Sequence, residues 1–311
     1  MTRWRRRVTA HGVVRDGSGR VLLVPTGRHD GWSLPGGTVA HGESPQSAAI
    51  RLTRQQTGMA TQVRAARLVA SDQVPRPGDA VVHTDRLIFD LVPTAGTPAE
   101  RARWYTPAEL VRVPLPGYAA SALAGVIAEG GHTSDASVRD FGSTAAGTPT
   151  ADLEDPDDGW PVERGLAMDD AGRRVQRFST YARATDAAGR MLFAKIADGY
   201  PGAGRWHLPG GGTDVGEAPA DALLREVAEE TGQVGTIGRL LSVSHRHNPV
   251  ARGWEGYPIN WHTIRVVYEM AVDEPTEPRV TEAAGSTVEA AWMRPGEIDR
   301  RALTDLASSV L

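Results

Sequence analysis

The stretch Gly211-Gly212-Thr213-Asp214-Val215-Gly216-Glu217, followed after seven residues by Arg225-Glu226-Val227-Ala228-Glu229-Glu230-Thr231-Gly232, decides how the chain is read. The stretch predicts a helix from about Ala218 to Thr231, closed by Gly232. On such a helix Glu226, Glu229 and Glu230 lie three and four residues apart and share one face. Like charges at that spacing repel and weaken a bare helix. A hard divalent cation relieves the repulsion, and carboxylate oxygens suit Mg²⁺ or Mn²⁺. Arg225 can hold a neighbouring carboxylate through paired hydrogen bonds. The glycine turn before the helix lets backbone approach a bound phosphate closely. A solvated face carrying spare glutamates is the plain alternative for a lone Glu-x-x-Glu-Glu. Gly211, Glu217, Arg225 and Gly232 together point instead to metal-assisted chemistry.

Working outward, the same frame occurs earlier in the chain. Trp32-Ser33-Leu34-Pro35-Gly36-Gly37 returns as Trp206-His207-Leu208-Pro209-Gly210-Gly211. Glu43, Arg51 and Gly58 return in register as Glu217, Arg225 and Gly232. Asp16–Arg20 matches Asp186–Arg190, and Trp104–Leu110 matches Trp292–Ile298. A repeat this long means duplicated domains. We expect a first domain over 1–129, a Gly/Asp/Pro-rich segment over 130–172 and a second domain over 173–311. The middle segment reads as a linker or as an ordered strap, with Trp160 and Leu166 available to dock. Each copy predicts two strands flanking a turn (Val8–Val14 with Val21–Val24, Ser179–Ala184 with Met191–Lys195). Then come the box helix, further strands near Arg86–Leu91 and Thr263–Met270, and a closing helix near Gly117–Ala128 or Ile298–Val310.

The first copy has Leu52, Gln55 and Gln56 where the second has Glu226, Glu229 and Glu230. Three charges are gone, and Arg54 adds a positive one. Only Glu43 remains as an anionic box position, so a divalent ion should bind poorly there. This copy reads as catalytically silent: half of an internal pseudo-dimer, a wall of the partner's pocket, or a regulatory site.

Gly211-x5-Glu217-x7-Arg225-Glu226-Val227-x-Glu229-Glu230-x-Gly232 resembles the box of the Nudix hydrolases. It departs only at Gln233, where that family has an apolar residue, and this predicts looser packing at the helix end. The resemblance covers both halves and leaves out mainly 130–172. It implies two tandem α/β/α sandwich domains with mixed sheets. It also implies Mg²⁺-dependent attack of water on phosphorus in a nucleoside diphosphate linked to another group. By matched position, Glu229 and Glu230 are principal metal ligands, Glu226 a ligand or general base, Arg225 its orienter, and Glu217 a further ligand or support. Gly210 and Gly211 face the diphosphate. The family often adds a carboxylate from a later loop, and Glu282 and Glu289 are the candidates, though the plainer reading of each is a solvated loop residue.

Specificity should come from loops. The stretch Ser244–Trp261 offers His245, Arg246, His247, Arg252, Trp254, Tyr257 and Trp261, aromatics that stack a base and arginines that hold phosphate or ribose. The plainer reading of Trp254 and Trp261 is packing in the core or at the domain interface, and His245-x-His247 lacks a third zinc ligand in sequence. Pro249 lies 16 positions after Gln233, a spacing that marks ADP-ribose-type relatives. Pro75 lies at the same spacing from Met59 in the silent copy, so the marker tracks a shared loop shape.

Composition bounds these readings. The 311 residues are 40% hydrophobic and 23% charged, an ordinary globular balance. A net charge of −4 offers no general attraction to a nucleic-acid backbone, which speaks against RNA 5′ ends as substrate. The basic start, Arg3-Trp4-Arg5-Arg6-Arg7, reads as a solvated terminus or edge strand. Cysteine is absent, which removes thiol nucleophiles, cysteine-bound zinc and the cysteine of the family's prenyl-diphosphate isomerases. Lys195 is the only lysine, and no Gly-Lys-Ser/Thr loop exists for a P-loop site. No apolar run approaches a membrane span, and no signal-peptide core is seen, so a cytoplasmic location is expected. The partners expected are a nucleotide-type small molecule and either an internal pseudo-dimer or a homodimer. The rival function is a ligand-sensing regulator on the same fold.

Overall fold

The computed structural model describes residues 3–26, 31–129, 168–169, 172–252, 257–281 and 285–311. Most of 130–172, and with it the choice between linker and strap, lies outside these residues. Contacts divide the described chain into two units. The first comprises residues up to 129 with 168–177 and 244–264; the second comprises 178–243 and 265–311.

In the first unit the elements are β1 (Arg3–Val14), β2 (Val21–Pro25), β3 (Trp32–Ser33), β4 (Gly36–Thr38), α1 (Pro45–Thr57), β5 (Ala60–Arg76), β6 (Ala80–Ala95), β7 (Arg103–Tyr105), α2 (Pro107–Leu110) and α3 (Gly117–Glu129). The main sheet runs β4-β1-β6-β5 and is mixed, since β1 and β6 are parallel while the other pairs are antiparallel. β6 is apolar on both faces, with Leu87, Ile88 and Phe89 all buried, as a strand covered on two sides must be. One face packs on α1. The other meets α3 and β2 through Val13, Val21, Leu23, Ile88, Leu123 and Val126. The basic start becomes the beginning of β1, where Arg6 Nε donates to the buried Asp85 at 2.8 Å.

The expected hairpin of β1 with β2 is only a turn. Beyond the bridge Arg15–Val21 the two strands diverge, and β2 pairs with β3 and β7 instead. Asp16 explains the tight turn: its carboxylate accepts from the Ser18 and Arg20 N–H groups, fixing the corner while leaving the strands unladdered.

The second part of the chain follows with β8 (Met168–Asp169), β9 (Gly172–Asp186), β10 (Met191–Ile196), β11 (Trp206–His207), β12 (Gly210–Gly212), α4 (Pro219–Thr231), β13 (Thr236–Arg252), β14 (Pro258–Val272), β15 (Thr287–Met293) and α5 (Asp305–Ser308). Its strand order is β11-β10-β9-β14-β13, with β12 on β9 and β15 on β10. Two apolar clusters cover the two faces of the second unit's sheet. Leu192, Leu223, Val227, Met270 and Val272 pack on the α4 side, and Phe193, Leu208, Val267, Leu303 and Leu306 on the α5 side. This is the α/β/α layering that the box implied. Each fully buried large side chain, such as Phe178 or Phe193, stabilises the unit by roughly 1.5–3 kcal/mol.

The box helices form where expected, and for visible reasons. Ser44 Oγ accepts the Ser47 N–H at 3.0 Å, and Pro45 opens α1. α4 has no side-chain cap but begins with Pro219 and carries Asp221 in its first turn. Gly58 and Gly232 end the two helices in the left-handed conformation at φ 73° and 69°.

The closing helix expected over 298–310 is broken instead. Short 3₁₀ turns at Pro295–Glu297 and Arg300–Ala302 precede α5, which Thr304 caps by accepting the Ala307 N–H. Leu303 is pulled into a bridge with Trp206, which interrupts the helical ladder. No described helix is long and apolar enough to cross a membrane.

Candidate active site

The glycine strand β12 lies antiparallel against β9, with Gly210 opposite Tyr181 and Gly211 opposite Thr180. Gly210 adopts φ +137°, and a Cβ there would run into the Thr180 carbonyl oxygen. A Cβ on Gly211 would sit 2.5 Å from the carboxyl carbon of Glu226. Glycine at both positions therefore lets the strand lie between β9 and the carboxylates of α4.

Arg225 is the hub. Its Nε and one terminal nitrogen fork onto Glu217 at 2.8 and 2.9 Å. The other terminal nitrogen reaches Glu226 at 3.1 Å and Glu229 at 3.0 Å. The hydrogen bond to Glu217, and then the charges of Glu226 and Glu217, push the guanidinium further above its already high range, against the opposing effect of burial. Glu217 also accepts the Asp214 N–H, which ties the loop to the helix.

Glu230 is placed differently from its neighbours. It is only 4% exposed, accepts the Gly210 N–H at 2.8 Å, and takes a 2.6 Å hydrogen bond from the Thr287 hydroxyl. So Glu217, Glu226 and Glu229 gather around Arg225, while Glu230 braces the glycine strand. Among the described residues no three His, Asp or Glu side chains form a ready-made metal cage.

Glu289, one of the two late carboxylates, lies on β15 and pairs across the ladder with Lys195 at 3.0 Å. Glu282 and Trp254 lie outside the described residues. Arg246 is exposed and belongs to the segment 244–264, which groups with the first unit. Gln233 does not loosen the helix end. It is buried, its amide donates to Thr276 Oγ1 at 2.9 Å, and its carbonyl accepts the Thr276 N–H at 2.9 Å. A polar clip replaces the apolar contact.

Two residues escaped the sequence reading, Thr287 and Ser286, whose hydroxyls face Glu230 at 2.6 and 3.5 Å. The available signal was a length difference: 273–286 joins β14 to β15, whereas 96–102 joins β6 to β7.

The first copy keeps the frame with different side chains. Arg51 forks onto Glu43 at 2.8 Å through both nitrogens and reaches Gln55 at 3.3 Å. Burial works to raise the Glu43 carboxyl, but the Arg51 fork and the Ala40 N–H outweigh it and hold it below its ordinary range. Leu52 lies beside Gly37, where Glu226 lies beside Gly211. Gln56 accepts the Gly36 N–H at 2.8 Å and donates to the Gly36 carbonyl at 2.9 Å, closing on both sides of that residue.

A family model, the NUDIX domain, matches residues 5–128 and 176–310. The chain belongs to the NUDIX family. Both matched regions contain the glycine strand and box helix just described, one with carboxylates and one with amides. Diphosphoinositol polyphosphate phosphohydrolase 3-alpha of Homo sapiens is 54% identical over 39 residues, which is 12% of this chain and 24% of that protein. Diphosphoinositol polyphosphate phosphohydrolase 2 of Mus musculus is 49% identical over 39 residues, 12% of this chain and 22% of that protein. The NUDIX chain thus spans about a quarter of the length of the curated relatives it matches. Among solved structures, the MutT protein of Methanosarcina mazei Go1 aligns at 19% identity and a TM-score of 0.35, covering 43% of this chain and 89% of that one.

Beside the first copy's box, four histidines gather within the first unit. His41 and His247 both direct Nε2 at Asn260 Oδ1, at 3.0 and 2.7 Å. His262, fully buried, accepts the Gly42 N–H on Nδ1 and lies 5.4–6.0 Å, centre to centre, from His41, His245 and His247. Sequence alone had offered only the His245–His247 pair. Burial, then the neighbouring imidazoles, lower His262 to about 4, and burial lowers His41 despite its bonds to Asn260.

A histidine depressed in the fold is stabilising while neutral, and that stability is lost as pH falls from the unfolded value near 6.5 toward the folded one. Thermal stability is therefore expected to drop between pH 6.5 and about 4, by at most about 1.4 kcal/mol per pH unit for each such histidine. Melting curves across that range should flatten in His262→Gln. An unchanged slope would mean the cluster is not the sensor.

Proposed function

We propose that the carboxylate copy hydrolyses a pyrophosphate bond in a nucleoside diphosphate linked to another moiety, with Mg²⁺ (or Mn²⁺) as cofactor. The observation that carries this reading is the gathering of Glu217, Glu226 and Glu229 on Arg225 beside a glycine strand that Glu230 braces. The donors fit a hard cation. They are all oxygen, and with glycine at 211 the Glu226 carboxylate lies directly against the backbone. Glu226, Glu229 and Glu230, with Glu217 in support, are the residues that would hold it. A divalent ion there would offset phosphate charge and make a bound water more acidic.

The chain's own residues do the rest. The Gly210–Gly211 strand brings backbone against the diphosphate. Arg225 holds Glu226 and Glu229 in place. Glu226 takes the proton as water oxygen bonds to phosphorus, and the bridging P–O bond breaks to release the second phosphate on its own group. Glu282 is the alternative base from the late loop. Arg246 and Trp254 are candidates for holding the nucleotide.

We further read 1–129 and 173–311 as the two domains, with 130–172 joining them. The N-terminal copy serves a structural or regulatory role, as an internal pseudo-dimer or within a homodimer. A cytoplasmic setting suits the absence of cysteine from the sequence.

A panel of nucleotide sugars, ADP-ribose, dinucleoside polyphosphates and oxidised nucleoside triphosphates, assayed with Mg²⁺ for phosphate and nucleotide products, tests this reading. Turnover of at least one member is expected. Binding without turnover across the panel would favour the ligand-sensing regulator.

A further inference from the structure

Glu230 and Gln56 occupy the same box position and make different bonds. Gln56 has both a donor and an acceptor and uses them on the two sides of Gly36. An ionised Glu230 can only accept, so it takes the Gly210 N–H on one oxygen and cannot close on the Gly210 carbonyl. Its other oxygen accepts from Thr287 at 2.6 Å. These two bonds, at opposite oxygens, fix the rotation of the carboxylate.

Thr287 is 7% exposed and opens β15, so its hydroxyl is held by the sheet rather than by a free loop. Its ladder partner is Ile196 on β10. Ser286 Oγ, at 3.5 Å, is too long to do the same work.

We propose that Thr287 is a positioning residue for the hydrolytic site, its hydroxyl setting the orientation in which Glu230 meets a divalent cation. This rests on the hydrolase reading above. Groups that hydrogen-bond a metal-binding carboxylate typically change metal affinity by about 10–100-fold when removed.

The test compares full-length wild type, Thr287→Val and Thr287→Ser. Valine keeps the branched shape without the hydroxyl, and serine keeps the hydroxyl without the methyl group. Mg²⁺ binding is read by calorimetry with the metal alone and by the Mg²⁺-induced shift in melting temperature, and turnover is read against Mg²⁺ concentration. We expect Thr287→Val to need about tenfold more Mg²⁺ by all three measures, and Thr287→Ser to stay within about threefold of wild type. Wild-type Mg²⁺ binding in Thr287→Val overturns the proposal, as does equal impairment of the serine variant, which would make the role one of shape. If wild type itself neither binds Mg²⁺ nor turns over substrate, the hydrolase reading falls and takes this one with it. If wild type does both and the valine variant matches it, only the role of Thr287 falls.

Discussion

Glu230→Gln is expected to lower turnover by at least about 100-fold while leaving the melting temperature within a few degrees of wild type. The first copy shows what an amide does at this position: Gln56 accepts the Gly36 N–H and also turns its own N–H onto the Gly36 carbonyl. Glutamine at 230 can keep the Gly210 N–H on its oxygen and turn its NH₂ onto the Thr287 hydroxyl, which can accept as well as donate, so little folding energy should be lost. What disappears is a full negative charge in a nearly dry place, where it counts most toward a cation. A loss of several kcal/mol of charge stabilisation corresponds to a factor of at least about 10². Single-turnover kinetics beside a thermal melt separate the two effects. A variant with near-normal turnover would remove Glu230 from the chemistry, and one that is inactive only because it is unfolded would make it a purely structural brace.

The second large effect is expected at Gly210. Alanine there must place its Cβ against the Thr180 carbonyl oxygen and 2.7 Å from the Tyr181 Cα, at φ +137°. Both obstacles are backbone of a central strand and cannot swing aside. Strain of this kind together with overpacking amounts to about 3 kcal/mol or more. Urea denaturation of Gly210→Ala should show it as a lower midpoint with an unchanged slope. Gly211→Ala is the control: its Cβ meets the end of the flexible Glu226 side chain, so the fold should survive while turnover falls. Equal stability of the two variants would mean that the strand can shift away from β9.

The box was readable because its information is local. Glycine, arginine and carboxylates at helical spacing determine both the helix and its charged face, and the ends stand in the sequence as Ser44-Pro45 with Gly58 in one copy and as Gly232 in the other. The duplication carried the layered fold to both halves for the same reason. Sequence could not show that Glu230 takes other partners than Glu226 and Glu229, which share Arg225. One helical face does not reveal that Gly210 and Thr287 supply donors to only one of three glutamates. Thr287 comes from beyond a loop whose length differs between the copies. The histidine cluster joins His41 to residues more than two hundred positions away, and no local pattern announces such a meeting. The closing helix failed as an expectation because propensity over 298–310 was overridden by Leu303 bonding into the sheet.

The double bond that Gln56 makes to Gly36 has a bearing on how such a chain could have diverged. When identical subunits assemble, every codon change strikes all sites at once, and an inactive mutant is lost. Fusion in one gene frees each half to drift separately. An amide that satisfies its surroundings as Gln56 does leaves selection for foldedness nothing to act against. With Leu52 and Gln55 standing beside Gln56, no single exchange in the first half would recreate the acidic trio of the second.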